Sequence, residues 1–268
     1  MTLEILICSF NKGIVRIVDV LCPPTPNVRY IVSYQYTDER YLDLVPPECH
    51  ERHDVTFYSY KGQGLSANRN LALEKATADL IMYADDDAHL SPETFEAAFD
   101  VFNANDELDV AFFRASTYTG KPLKNYPDEE YDIKKIPEDY SISAIEMVCR
   151  RTSVQGVIRY DERFGLGTKF LTCGEEEIWL EDALKKGLRM KYFPRKIVET
   201  STMLKKQEIY IDAGVQRSYG AQTYYRHGSR AWIICLKFAM KSASQGYCHF
   251  WPMMKHLAEG INFMRRNK

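Results

Sequence analysis

The chain has 268 residues, 45% of them hydrophobic and 27% charged, enough to bury a substantial core as one large domain or one domain plus an appendage. Its 35 basic and 37 acidic residues and a pI near 6.3 leave no overall electrostatic footprint for RNA or DNA, so nucleic acid is not expected as a partner. Cysteines at 8, 22, 49, 149, 173, 235 and 248 fit neither a disulfide framework nor a paired metal-ligand spacing, and MTLEILICSF enters a strand-like run without a basic leader. A reducing cytoplasm is the expected location. The longest apolar stretch, Ala231 to Met240, is too short for a membrane span and contains Lys237.

Strands and helices alternate along the chain. Apolar runs predict parallel-sheet strands at Leu3 to Cys8, Tyr30 to Tyr34 and Val55 to Tyr60. Gly62 and Gly64 then make a loop, and Ser66 is a candidate N-cap for a helix through Lys75. Leu80 to Ala84 is a short buried strand. Ser91 and Pro92 suit the start of a helix whose Phe95, Ala98, Phe99 and Phe102 share one face. Leu108 to Phe113 predicts another strand, Thr117 to Tyr140 a long loop, and Glu175 to Lys186 a helix closed by Gly187. The expected class is α/β, a mostly parallel sheet flanked by helices. In such sheets ligands bind beyond the carboxyl ends of the strands, where Ser9, Phe10, Gly62, Gly64 and the YADDDAHL segment fall.

Asp85, Asp86 and Asp87 follow directly on an apolar strand. Three adjacent carboxylates repel one another unless something positive lies between them. An acidic surface loop is one reading; a divalent cation is the other, since hard cations take carboxylate oxygens and Asp85 and Asp87 can both reach one ion or its waters.

Four segments in chain order, ICSFNKG, GLSANRNLAL, YADDDAHLSPE and RYDERFGLGTKFLTCGEEEIWLEDALKKG, resemble the family 2 glycosyltransferases, inverting enzymes of the GT-A fold, over roughly residues 1 to 200. Among these, the chain is similar to the bacterial surface-polysaccharide type. The resemblance implies a GT-A catalytic domain over 1–205, with nucleotide-sugar binding in 1–115 and the acceptor and base in 116–205, and a helical extension over 206–268. It implies Mg²⁺ or Mn²⁺ at the DxD position, with Asp87 as direct ligand, Asp85 bonding the ribose or the metal's waters, and Asp86 behind them. Ser9, Phe10 and Asn11 are expected at the nucleotide, as is Arg69, whose place in the first turn of a helix is a poor one for a cation. Pairing with Glu74 or a neighbouring acid is the structural alternative for Arg69. Many relatives end the second strand with an acidic residue that reads the base; here Gln35 stands near that point, leaving the nucleotide open. The acidic pair that supplies the general base matches the helix start at Glu175 to Glu177, with Glu176 the first candidate and Glu175 the next, although dipole compensation alone also favours acids there. His227 is a candidate further metal ligand. The FGLG segment, Phe164 to Gly167, is either a donor and acceptor border or a plain turn.

The donor implied is a nucleotide-diphosphate sugar, and the acceptor a saccharide or lipid-linked saccharide. A sugar-phosphate nucleotidyltransferase would share sheet and metal chemistry but want a Gly- and Lys/Arg-rich phosphate loop where this chain has SFNKGIVR. A Ca²⁺-dependent carbohydrate-binding module would be β-rich and secreted. The tail stands apart in charge. Residues 224 to 268 carry eight Lys or Arg against Glu259 alone, net +7, while the remainder holds 27 basic and 36 acidic residues, net −9. A helix from Ser229 to Lys241 would place Arg230, Lys237 and Lys241 on one stripe beside Trp232, Ile233, Leu236 and Met240. That pattern suits either a peripheral helix on an anionic membrane or a helix packed on the catalytic domain with a solvated basic edge.

Overall fold

The structure is a computed structural model describing residues 1–136, 140–201 and 208–267. The expected boundary at 205/206 lies outside the described residues. Among the described residues nine strands form one sheet: β1 (Leu3–Phe10), β2 (Val28–Tyr36), β3 (Val55–Lys61), β4 (Leu80–Asp85), β5 (Ala88–His89), β6 (Val110–Thr117), β7 (Tyr131–Asp132), β8 (Met147–Arg150) and β9 (Met190–Thr200). The α-helices are α1 (Ile17–Val20), α2 (Glu48–Glu51), α3 (Leu65–Lys75), α4 (Pro92–Ala104), α5 (Arg151–Val154), α6 (Glu175–Lys185), α7 (Glu208–Ile211), α8 (Ala213–His227), α9 (Ala231–Ser244) and α10 (Phe250–Arg266).

Strand order is β3-β2-β1-β4-β8-β6-β9-β5, with β7 paired to β9. The long ladders β1–β2, β1–β4, β2–β3 and β6–β9 are parallel; those joining β8, β5 and β7 are antiparallel and two or three residues long. The fold is α/β with a mostly parallel sheet flanked by helices, as the alternating pattern predicts. β1 is buried along seven of its eight residues because both faces are covered, which is why LEILIC reads as an unbroken apolar run. Its one charge, Glu4, is buried where its carboxylate accepts from Thr77 N at 2.6 Å, Ala78 N at 2.9 Å and the Thr77 hydroxyl at 2.9 Å, fastening the turn before β4. α4 starts at Pro92 after Ser91, whose N–H donates to Thr94 Oγ1 at 3.2 Å, and buries Phe95, Ala98 and Phe102.

Contacts divide the chain into two compact units: residues 1–63, 67–159 and 182–204, and residues 64–66, 160–181 and 205–268. The first holds the sheet and its main core. In the second, Phe164, Leu171, Ile178, Ala221 and Met264 form one apolar cluster, and Ala231, Cys235, Ala239, Met253, Leu257 and Ile261 another. α8 and α10 approach closely through glycine: a Cβ on Gly220 would lie 2.2 Å from Leu257 O, and one on Gly260 would lie 1.9 Å from Arg217 O.

Several elements differ from expectation. α3 begins at Leu65, so Ser66 is inside the helix, and its hydroxyl donates to Phe164 O at 2.7 Å instead of capping. The sixth strand begins at Val110 and runs to Thr117. Within the expected 117–140 loop, β7 and a 3₁₀ turn at Ile133–Lys135 form, and Lys124 is buried with Nζ 2.6 Å from Glu146 Oε2. Tyr126 donates to the same carboxylate at 2.5 Å, and a charged pair so satisfied holds that stretch against the sheet. The helix expected from Ser229 starts at Ala231, after a 3₁₀ turn at Gly228–Arg230.

Candidate active site

Register brings the candidate residues of the first unit to one sheet edge. Cys8 pairs with Asp85 across β1–β4, and Phe10 with Gln35 across β1–β2, so the strands end together and their carboxyl ends carry Ser9, Phe10, Gln35 and the aspartates. At that edge the backbone turns sharply: Asn11 takes φ +48°. Its side chain donates to Thr37 Oγ1 at 3.1 Å and accepts from Thr37 N at 2.9 Å, tying the end of β1 to that of β2. Asn11 is therefore held by turn chemistry, while Phe10 is exposed.

The three aspartates have three separate environments, because successive side chains at a strand end diverge. Asp85 lies 3.6 Å from the Nη2 of buried Arg69. Burial pushes the Asp85 carboxyl above the usual carboxylate range, Arg69 pulls it down, and Asp87 and Asp86 add to the upward push. Asp86 accepts from Ser9 Oγ at 2.7 Å and from the Arg16 guanidinium, which also donates to its backbone oxygen at 3.3 Å. Gly13 fits only because it lacks a side chain: a Cβ there would lie 2.0 Å from Asp86 Oδ2. Asp87 accepts from Thr200 Oγ1 at 3.2 Å and from the Ser201 hydroxyl, while Tyr118 donates to its carbonyl. Behind the cluster Asn68 links two strand ends, accepting from Ser33 Oγ at 2.6 Å and donating to Ser9 O at 3.1 Å.

In the second unit the FGLG turn and the acidic helix start meet. Gly165 and Gly167 take φ +105° and +88°, backbone that other residues resist. Gly165 N donates to Leu171 O at 2.9 Å, and Leu65 N to Leu166 O at 2.9 Å. A Cβ on Gly165 would lie 3.0 Å from Glu175 Cδ and 3.1 Å from Ser66 Oγ. Glu175 is turned inward and buried, whereas Glu176 and Glu177 are half-buried. Trp179, fully buried, stacks on Tyr160 with centroids 6.3 Å apart and fixes the rotation of the helix.

Of the residues named from sequence, Ser9, Asp85, Asp86 and Arg69 come together with Asp87, and Arg69 pairs with Asp85; Glu74 is taken by Arg159. Gln35 is buried, its amide donating to Tyr60 OH at 2.5 Å, so a base edge would have to displace the tyrosine. His227 ends α8, exposed, in the second unit. Among the described residues no group of three His, Cys, Asp or Glu is placed to cage a metal. The donor set at the strand end is nevertheless one a hard cation suits: carboxylates 85 and 87, both hemmed by other carboxylates, with hydroxyl neighbours. Mg²⁺ completes its shell with phosphate oxygens and water, so two protein carboxylates suffice. A cleft of about 470 Å³ near Asn105, Leu108, Ile133 and Met190 shares no residue with this cluster.

Sequence reasoning missed Arg16, Gly13, Asn68, Tyr118, Thr200 and Ser201. Arg16 and Gly13 both lie in SFNKGIVR, where the only visible signal was a glycine and a cation shortly after the strand end. The hydroxyls at 200 and 201 reach Asp87 across more than a hundred residues and leave no local trace.

Structural comparison finds the same fold in S. aureus TarS. The 1–349 fragment aligns with TM-score 0.61 at 12% identity over all of this chain and 92% of that one. Its crystal structures in complex with UDP and with UDP-GlcNAc align with TM-scores 0.58 and 0.56 at 14% and 13% identity, over 91% of this chain and 72% and 73% of theirs. The chain spans 44% of the longer TarS structure. No curated protein matches in sequence. The family model described as glycosyl transferase family 2 matches residues 5–164, a span that contains β1 from Ile5 on, α3, the three aspartates and every partner of Asp85 and Asp86 named above. The chain belongs to glycosyl transferase family 2.

Proposed function

We propose that the protein moves a sugar from a nucleotide-diphosphate donor to an acceptor hydroxyl with inversion, in the synthesis of a cell-surface polysaccharide or glycolipid on the cytoplasmic side. The observation that carries the reading is the convergence of Ser9, Arg69 and Asp85 to Asp87 at the carboxyl edge of the parallel strands, inside the span matched by the family. The UDP and UDP-GlcNAc complexes of TarS make uridine diphosphate sugars the first donors to try.

Asp87 and Asp85 would hold Mg²⁺ or Mn²⁺. When bound, the ion supplies positive charge to the departing diphosphate. Arg69 favours the ionised form of Asp85 against the upward push of burial, and presents a second cation at the same edge. Asp86, occupied by Ser9 and Arg16, orients the segment rather than meeting the donor. Inverting transfer is a single displacement, so an acceptor hydroxyl, on a saccharide or lipid-linked saccharide, must lose its proton to a base. Glu176 is that base: it is half-exposed where Glu175 is buried, and a group that meets a diffusing acceptor needs the accessible position. Glu175, packed beside Gly165 and Ser66, is the second candidate.

The test is incubation with a panel of nucleotide sugars and saccharide acceptors, with and without Mn²⁺. Metal-dependent release of nucleoside diphosphate supports transfer. Pyrophosphate formed from a nucleoside triphosphate and a sugar phosphate would assign the protein to the nucleotidyltransferases instead.

A further inference from the structure

α9 has two faces of different character. Ala231, Cys235, Ala239 and Ser242 recur at helical spacing and are buried, the first three in a cluster with Met253, Leu257 and Ile261 of α10. On the opposite side Arg230, Ile233, Leu236, Lys237, Met240 and Lys241 fall within about 140° of arc at 100° per residue. All six are exposed. Ile233 is 58% exposed, Leu236 42% and Met240 57%, so three large apolar side chains face outward between three cations. The helix is fully formed without this face, which contributes nothing to the folded core.

Charge says what covers it. No acidic residue occurs between Asp212 and Glu259, so the outer face of α9 and the turn after it offer cations and apolar surface only. A protein partner or a second copy of this chain would have to bring several carboxylates to an apolar contact and desolvate them. An anionic bilayer supplies both requirements at once, phosphate charge for Lys and Arg and hydrocarbon for Ile, Leu and Met. Two exposed aromatic residues beyond α9 fit the same environment. Tyr247 follows the helix, and Trp251, 79% exposed, stands in the first turn of α10. Exposed aromatics beside cations are the side chains that settle at the headgroup level. No helix among the described residues is long and apolar enough to cross a membrane, so the mode is attachment and not insertion.

We infer that the outer face of α9, with Ile233, Leu236, Lys237, Met240 and Lys241, docks the protein on an anionic lipid bilayer. The inference stands apart from the transfer reaction.

Co-sedimentation of the full chain with phosphatidylcholine vesicles, with and without phosphatidylglycerol, tests it. Binding is expected only with the anionic lipid and is expected to fall as salt rises. Lys237→Glu/Lys241→Glu and Leu236→Glu/Met240→Glu should each lower partitioning about tenfold or more, since both contributions act at one surface. Lys134→Glu/Lys135→Glu, at exposed lysines of the other unit, should leave it unchanged. All four α9 positions are exposed, so circular dichroism should match the parent. Failure of the parent to bind anionic vesicles overturns the inference, as does binding that survives both α9 variants. Light scattering that shows a dimer dissociated by Leu236→Glu/Met240→Glu overturns it in favour of self-association.

Discussion

Asp85 to Asp87 and Glu175 to Glu177 are both runs of three carboxylates, one at the end of a strand and one at the start of a helix, and the surroundings treat them differently. At the strand end each aspartate has its own partners: Arg69 for Asp85, Ser9 and Arg16 for Asp86, Thr200 and Ser201 for Asp87. A strand end has no helix dipole to favour negative charge, and the carboxyl of Asp85 is driven upward by burial and by its neighbours. At the helix start the backbone itself favours acids, each by about 0.3–1 kcal/mol. A triplet that needs two arginines is a costly arrangement that a cation on the donor would relieve. A triplet on a helix start is stable without any ligand, so only the exposure of its members indicates a role.

The contrast can be sharpened by removing one group at a time. The largest effect is expected at the helix: Glu176→Gln should lower turnover by roughly 10² to 10⁴, about 3–5 kcal/mol of barrier, with donor affinity nearly kept. Transfer assays paired with donor titrations measure both quantities. A parent-like rate for Glu176→Gln with a slow Glu175→Gln would move the role by one residue, and three unimpaired glutamines at 175 to 177 would remove the base from this helix. Next, Arg69→Ala strips the guanidinium from Asp85 and should destabilise the fold by about 1–3 kcal/mol, read in denaturant unfolding. The sign for Asp85 is fixed: Arg69 lowers its pKa, so without it the carboxyl titrates higher still, visible by carboxyl carbon NMR. Gly13→Ala forces the Asp86 carboxylate away from a position 2.0 Å from the new methyl and should cost about 1–3 kcal/mol, with weakened donor binding as the segment shifts. Arg16→Ala should cost least, below about 1 kcal/mol, because Arg16 is half exposed and Ser9 still holds Asp86.

How far the sequence reveals this depends on how local the cause is. The strands β1, β2 and β4 are legible because both sheet faces are covered and the apolar runs are continuous; α4 is legible because Ser91, Pro92 and a four-residue apolar face lie within one segment. Ser66 misleads because its hydroxyl serves Phe164 O, 98 residues away, and not its own helix. Lys124 sits in a polar stretch that reads as solvated loop, yet its partner Glu146 lies beyond the excursion and takes it into the interior. At the candidate site the aspartates and Arg69 stand out by type and position, whereas Thr200, Ser201 and Tyr118 become partners of Asp87 only once β9 and β6 lie beside each other.

The central claim is that Asp87 makes nucleotide binding metal-dependent, and calorimetric titration of UDP into the parent and into Asp87→Ala, each with and without Mn²⁺, tests it most directly. The account predicts that Mn²⁺ strengthens binding to the parent and that Asp87→Ala loses this gain while unfolding at close to the parent temperature. Equal affinity for parent and variant in the presence of Mn²⁺ would contradict it.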